Sequence, residues 1–438
     1  MKRLFIIASL AILAVGCQKT EIQNEVQTPI GFSTETGKMT RAIVNNTQFD
    51  VTQPFAVYAY GWHDQVANKD AQGNPVALMD NVEIISTNQN DLAAPWKTND
   101  GFTYYWPNDP RTKLNFYAYS PAYVTDGTAT DGHKKLTFVE GNGNGVTHNE
   151  TVGMTLTNYV HENMYVDFMV ATPVKGATYS DPDGDGSVNA QYGVVPMTFN
   201  HQMTQVLFNV TTDKAYPGVT FTVEKITLKN IINTATYTNT TLASAGTYAN
   251  GTWDSQAATA ITNSDTYVVF PAIEGAGAEL KNAKNTTDDN TTAEDETKCE
   301  APVAIKYETN ATEVAAGMYT TPVTMIPQKM VKANLEKAPG EDNLRDEEQF
   351  QMFEVVYSVS GKGVASEQVV RNIPFYAIDA TSVVDWGVNK KILYTVKIGL
   401  QEIQFTPSVA VWDDGDTVSP DTDSSDSNNP GGDYPLAQ

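Results

Sequence analysis

The chain has 438 residues, of which 18% are charged and 41% hydrophobic, and its formal net charge is −24. An acidic surface of this kind argues against nucleic acid and against a bare anionic membrane as partners. The length allows two or three domains whose cores form by burial alone, because two cysteines, Cys17 and Cys299, cannot supply a disulfide framework.

The first element is a secretory signal. Met1-Lys2-Arg3 is a positive head, Leu4 to Val15 is an apolar run broken only by Ser9, and Gly16 places a small residue before Cys17. The run is shorter than the roughly 20 residues that span a bilayer. Leu13-Ala14-Val15-Gly16-Cys17 has the form of a lipobox, so residues 1–17 read as a lipoprotein signal and Cys17 as the residue that takes acyl chains. Each buried methylene of such a chain adds roughly 0.8 kcal/mol of membrane affinity. A plain cleaved signal is the alternative. The polar stretch Gln18 to Thr28 reads as a tether, and the expectation is an exported bacterial protein that starts anchored to a membrane.

Ile30-Gly31-Phe32-Ser33-Thr34 follows as a short strand with apolar residues at alternate positions, then Gly37 to Ala42 as a flexible basic joint. Residues 18–41 therefore form one segment, a tether plus a first strand. Arg41, between Thr40 and Ala42, is either an ordinary linker arginine or a cut site for a trypsin-like protease; cutting there would shed the lipid and the strand together.

Phe55 to Tyr60 is a strong strand. Phe102 to Trp106 and Leu114 to Tyr119 read as neighbours joined by a turn at Pro107-Asn108-Asp109-Pro110. Tyr165 to Ala171 is another strand, ended by Pro173, and Val194 to Phe199 and Gln205 to Val210 complete a first half at 42–213. In the second half, 214–412, strands are expected at Thr220 to Leu228, Tyr267 to Phe270, Pro322 to Ile326, Glu354 to Val359, Val369 to Ile373, Lys391 to Leu400 and Ile403 to Trp412. Asn282 to Glu300 reads as a solvated insertion, Met330 to Gln349 as the one stretch fit for a short surface helix, and 413–438 as a disordered acidic tail. Short alternating runs between Asn/Asp/Gly/Pro clusters make the chain all-β, of the sandwich kind.

Few motifs carry chemistry. The five histidines lack metal-ligand spacing, and there is no nucleophile elbow, Walker loop or dinucleotide fingerprint, so neither an enzyme nor a cofactor is expected. Asp181, Asp183 and Asp185, with Gly186, resemble the start of a calcium loop, but Tyr192 stands where a bidentate Glu is needed. An acidic turn without metal is the preferred reading.

A sheet that loses its first strand bares unpaired backbone and an apolar groove, which another chain can fill by strand addition. The last strand is a candidate donor, with Ile403, Phe405, Val409 and Val411 on one face, and a strand of its own domain is the equal alternative.

Several segments carry a resemblance to a known family: Trp96, Tyr105-Trp106-Pro107 and Asn115 to Pro121; Val166 to Ala171; Val195 to Val206; Met325-Ile326-Pro327-Gln328; and Phe405 to Trp412. With the lipobox and the Thr40-Arg41-Ala42 joint, the chain resembles the fimbrillins, the type V pilins of Bacteroidales, in their minor-fimbrillin-like branch. The resemblance implies two tandem transthyretin-like Greek-key β-sandwich domains, export as an outer-membrane lipoprotein, cleavage at Arg41 by an arginine-specific protease, and polymerisation into a fimbria by donor-strand exchange with other pilin subunits. It also implies adhesion to a host glycan or protein receptor. Asp416-Thr417-Val418 fits the O-glycosylation pattern of that bacterial group, at Thr417. The rival expectation is a non-polymerising surface lipoprotein that binds glycans through tryptophans such as Trp62, Trp96, Trp106 and Trp253.

Overall fold

The computed structural model describes residues 28–36, 49, 52–64, 66–67, 76–88, 95–109, 111–123, 136–186, 192–243, 248–261, 263–270, 303–305, 318–331, 350–361, 364–376, 383–400, 402–411 and 434–435. The expected insertion at Asn282 to Glu300, residues 332–349 of the expected helix, and the tail apart from 434–435 lie outside them, as do Cys17, Arg41, Ala42, Cys299 and Thr417. Among the described residues no helix is long and apolar enough to cross a membrane. The all-β expectation holds: the described residues form four sheets and two short 3-10 turns.

The first and largest sheet runs in the order Gly31–Thr36, Val194–His201, Met169–Ala171, Thr112–Ser120, Phe55–His63, Ala77–Ser86, Trp96–Thr98. Its two ends meet: Gly31–Thr36 lies against Trp96–Thr98. The sheet is therefore rolled, and the inside of the roll is filled by one cluster that includes Ile30, Phe32, Phe55, Phe116, Val195, Met197 and Phe199. The outer face carries Tyr58, Tyr60, Tyr117, Tyr119 and Phe168, which pack on the second sheet through Met154, Leu156, Tyr159, Tyr237 and Trp253. This two-sided packing explains why Phe55 to Gly61 is buried at every position rather than at alternate ones.

The second sheet consists of Thr252–Trp253, Thr234–Asn239, Gly153–Val160 and the short strands Thr137–Phe138 and Gly145–Asn149. The third holds Thr204–Thr212 between Lys390–Ile398 on one side and Met318–Tyr319 with Val323–Met325 on the other, and continues to Glu402–Val411 and Tyr434–Pro435. The fourth is Ser264–Phe270, Val219–Ile232, Met352–Gly361 and Val364–Pro374, with Val303–Ile305 alongside. The third and fourth sheets enclose a core of their own, in which Phe208, Phe221, Phe353, Tyr394 and Phe405 are the large members.

Local expectations changed in three places. Only Met169–Ala171 of the expected 165–171 strand pairs, because Asn163 closes a turn: its side chain accepts the Tyr165 N–H at 2.9 Å and its carbonyl the Val166 N–H at 3.0 Å. Phe102 to Trp106 is not a neighbour of Thr112–Ser120; its bridge, at Tyr105, is to Pro29. Thr204–Thr212 falls on the first-half side of the division at 213/214 yet hydrogen-bonds in the third sheet, and Thr234–Asn239, on the second-half side, returns to the second.

The crossover at His201–Thr204 has no glycine or proline to announce it. It is held by Gln202, which is fully buried. Its Nε2 donates to the carbonyls of Asn200 and His201 at 3.0 and 2.9 Å, and its Oε1 accepts the Tyr237 hydroxyl at 2.9 Å and the Gly251 N–H at 3.2 Å. The Trp253 indole donates to the Gln202 carbonyl at 2.8 Å. Gln328 does the same work at a second crossing, where the chain passes from Val219–Ile232 of the fourth sheet to Thr234–Asn239 of the second. Its Oε1 accepts the Ile232 N–H at 3.0 Å and the Gln351 amide at 3.2 Å, and its carbonyl accepts the Trp386 N–H at 2.9 Å. A chain that leaves one sheet for another inside a core strands its backbone groups, and a buried amide side chain satisfies several at once. His161 completes the seam. Its Nε2–H donates to the Thr324 carbonyl at 2.6 Å, which leaves Nδ1 to accept the Tyr159 hydroxyl at 2.9 Å.

Two outcomes follow. Gln202→Ala removes the acceptor of the buried Gly251 N–H and of the Tyr237 hydroxyl, which keeps only the Asn239 amide that donates to it, so equilibrium denaturation should show a loss of at least about 2 kcal/mol, whereas Gln404→Ala on the half-exposed last strand should cost far less. The second concerns acid. Burial holds the His161 ring down at about 4 from its ordinary 6.5, and burial, aided by Lys175, holds His148 down at about 3. The unfolded chain therefore binds these protons first, so their contribution to stability is intact above about pH 6.5 and is lost as pH falls towards 4. For His161 the loss is on the order of 3 kcal/mol, and His161→Gln should flatten the fall measured by denaturation between pH 6.5 and 4.

Candidate functional site

Gly31–Thr36 occupies the place where the rolled sheet closes. It runs parallel to Val194–His201, with Gly31 opposite Val194 and Thr36 opposite Phe199. On its other flank, the Ile30 N–H donates to the Tyr104 carbonyl at 2.9 Å and the Trp106 N–H donates to the Thr28 carbonyl at 3.0 Å. The segment 28–36 is thus bonded on both sides at its start. Alternation sends Ile30 and Phe32 into the roll, at 9% and 6% exposure, while Gly31 and Ser33 stay half-buried. The Phe32 ring meets Phe55 and Phe116 edge-on, with centroids at 5.9 and 6.1 Å.

The upper end of the seat depends on Gly193. Its carbonyl accepts both the Gly31 N–H at 2.9 Å and the Trp106 indole N–H at 3.1 Å. Its φ of +76° would strain any other residue, whose Cβ would also stand 3.0 Å from the Tyr179 ring and push it aside. The Tyr104–Trp106 flank and Gly193 were not legible as parts of a site: the first reads as a strand of the next hairpin, and the second as one glycine among 30.

This strand is built to matter and is followed closely by the joint that contains Arg41. Truncating a buried phenylalanine costs about 3–5 kcal/mol and a buried isoleucine about 2–5. A domain's whole stability is roughly 5–15 kcal/mol. Removing 28–36 without replacement therefore leaves a roll with an open apolar seat and bare backbone on two edges.

The last strand, Glu402–Val411, is placed otherwise. It lies antiparallel to Lys390–Ile398 from Ile403 opposite Ile398 to Val411 opposite Lys390. Ile403 and Phe405 are 2% and 3% exposed, inside the core of the third and fourth sheets. The Phe405 ring stands edge-on to Phe353 at 5.4 Å. Val409, of the same face, is 48% exposed. Tyr434–Pro435 pairs with Glu402 and Ile403 on the outer flank.

The acidic turn brings Asp181, Asp183 and Asp185 together, with one carboxylate oxygen from each within 4.8 Å of the others. The Asp181 carboxylate accepts the Gly186 N–H at 3.0 Å. Burial, and then the hydrogen bond with the Asp183 side chain, raises its pKa. Tyr192, at the position where a calcium loop needs its Glu, lies tilted against Tyr179 with ring centroids at 5.7 Å. Trp106 and Trp253 are buried, Trp96 packs on Phe55 at 5.0 Å, and the Trp62 indole donates to the buried Glu150 carboxylate at 2.8 Å.

Comparison with known proteins gives one family. The profile described as Fimbrillin-like matches residues 40–271, just over half of the chain. No curated protein matches. Among solved structures, a fimbrial protein from Bacteroides vulgatus is similar at 14% identity with a TM-score of 0.42, over 88% of this chain and 99% of that one. The C-terminally truncated tip fimbrial protein Mfa3 from Porphyromonas gingivalis is similar at 9% identity with a TM-score of 0.29, over 87% of this chain and 100% of that one.

The packing predicts a sharp contrast. Phe32→Ala and Phe405→Ala should each lose about 3–5 kcal/mol of stability in chemical denaturation, whereas the exposed Val409→Ser should change it by less than about 0.5 kcal/mol.

Proposed function

The chain belongs to the fimbrillin-like family, and on that premise we propose that it is a pilus-associated adhesion subunit of the bacterial surface that becomes competent for assembly by losing its first strand. One observation carries this reading: segment 28–36 closes the rolled sheet, fills it with Ile30 and Phe32, and precedes the Thr40-Arg41-Ala42 joint by a few residues. The chain is exported as a lipoprotein through Cys17 and held at the outer membrane. An arginine-specific protease then cuts after Arg41, and the lipid, the tether and the strand leave together. The emptied seat takes an extended segment of another pilin subunit, which receives main-chain bonds from Val194–His201 and Tyr104–Trp106 and side-chain pockets from Phe55 and Phe116. The protein works by assembly and contact, and no catalytic step is assigned to it.

Arg41→Ala tests this in cells. The variant should fold as the parent does, keep its acyl chains, and be absent from high-mass surface assemblies on gel filtration of shed material. Normal incorporation of Arg41→Ala would contradict the reading.

A further inference from the structure

We infer that this chain is a one-sided subunit: it accepts a strand into the seat of Gly31–Thr36 but keeps its own last strand, Glu402–Val411, at home. The inference rests on the reading of the seat given above and adds the direction of assembly. Both strands carry the same spacing, Ile30-x-Phe32 and Ile403-x-Phe405. Each pair is already spent on a core, the first inside the rolled sheet and the second between the third and fourth sheets. The difference lies in what holds each strand to the rest of the chain. The first is tied to its domain through the joint that contains Arg41, so one cut frees it. The last continues its sheet without a cut point, pairs with Lys390–Ile398 over nine residues, and is flanked at its start by Tyr434–Pro435. Its two anchors are less exposed than those of the first strand, at 2% and 3% against 9% and 6%.

A strand cannot fill two cores at once. Donating Glu402–Val411 to a neighbour would strip Phe353 and Tyr394 of the ring they pack against at 5.4 and 6.3 Å. Pro407 also suits an outer strand better than one bonded on both sides, since proline has no N–H to give. The segment of another subunit that fits the seat is therefore not Glu402–Val411 but a different extended segment that presents an aliphatic residue and a phenylalanine two positions apart and runs parallel to Val194–His201.

The test uses the full chain in a Cys299→Ser background, cut after Arg41 by an arginine-specific protease. It is incubated alone or with a synthetic peptide of residues 28–36. A second form also carries Thr395→Cys and Thr406→Cys, opposite residues of the last two long strands, so that oxidation pins Glu402–Val411 in place. The expected result is that the cut chain binds the peptide, that a Phe32→Ala peptide binds at least about ten-fold more weakly, and that the cut chain alone stays monomeric by light scattering. The pinned form should take the peptide with an affinity within about two-fold of the unpinned one. Polymers that form from the cut chain alone and vanish on pinning would overturn the inference while leaving the seat intact. Failure of the cut chain to bind the 28–36 peptide would bring down the reading of the seat, and the inference with it.

Discussion

Closure of the rolled sheet by segment 28–36 is the constraint from which the rest follows. A sheet that curls far enough to enclose its own core needs its two ends joined, or the ends expose both apolar contents and unpaired backbone. Here the join is made by a strand that reaches Val194–His201 in parallel and Tyr104–Trp106 across its other flank. Parallel pairing cannot come from a hairpin; it needs a strand that arrives from elsewhere, in this case from the N-terminal side of everything else in the roll. A closing strand with only a short joint behind it is separable from its domain by one peptide bond, although its Ile30 and Phe32 are buried in the core of the roll.

The second half obeys the opposite logic. Its core is closed by the last long strand, which is continuous with its sheet and packed on Phe353 and Tyr394. His161 ties the two halves by bridging Tyr159 and Thr324, while Gln202 and Gln328 are buried groups that satisfy the backbone where the chain crosses between sheets. Such a seam lets the first half lose a strand while the second half and the crossings keep their bonds. It also fixes the acid sensitivity of the whole, since the same buried ring that bridges Tyr159 and Thr324 must stay neutral.

Much of this was legible in the sequence. The alternating runs named the long strands of the third and fourth sheets and several of the first, but Ala77–Ser86 and the strands of the second sheet were not among them; the Ile30–Thr34 strand was identified with its joint, and the family resemblance rested on segments that the structure uses for structural ends: Val195 to Val206 is a strand plus the first crossover, and Met325 to Gln328 belongs to the second. Three features were hidden. The crossover at Gln202 carries no turn residue, so the strand after it was counted with the first half although it pairs with Lys390–Ile398. The partner of Phe102 to Trp106 is far away in sequence, and pairing over such distances leaves no local pattern. The face shared by Ile403, Phe405 and Val409 reads as one apolar stripe, yet only its first half lies under the opposing sheet, and depth is a property of the assembled sandwich and not of the period.

The most direct test of the central claim is the N-terminal residue of the protein as it stands in assemblies on the native cell surface. The account predicts Ala42, with segment 28–36 gone and its seat filled by another chain. A blocked, acylated Cys17, or any start that retains Ile30 and Phe32, would contradict it.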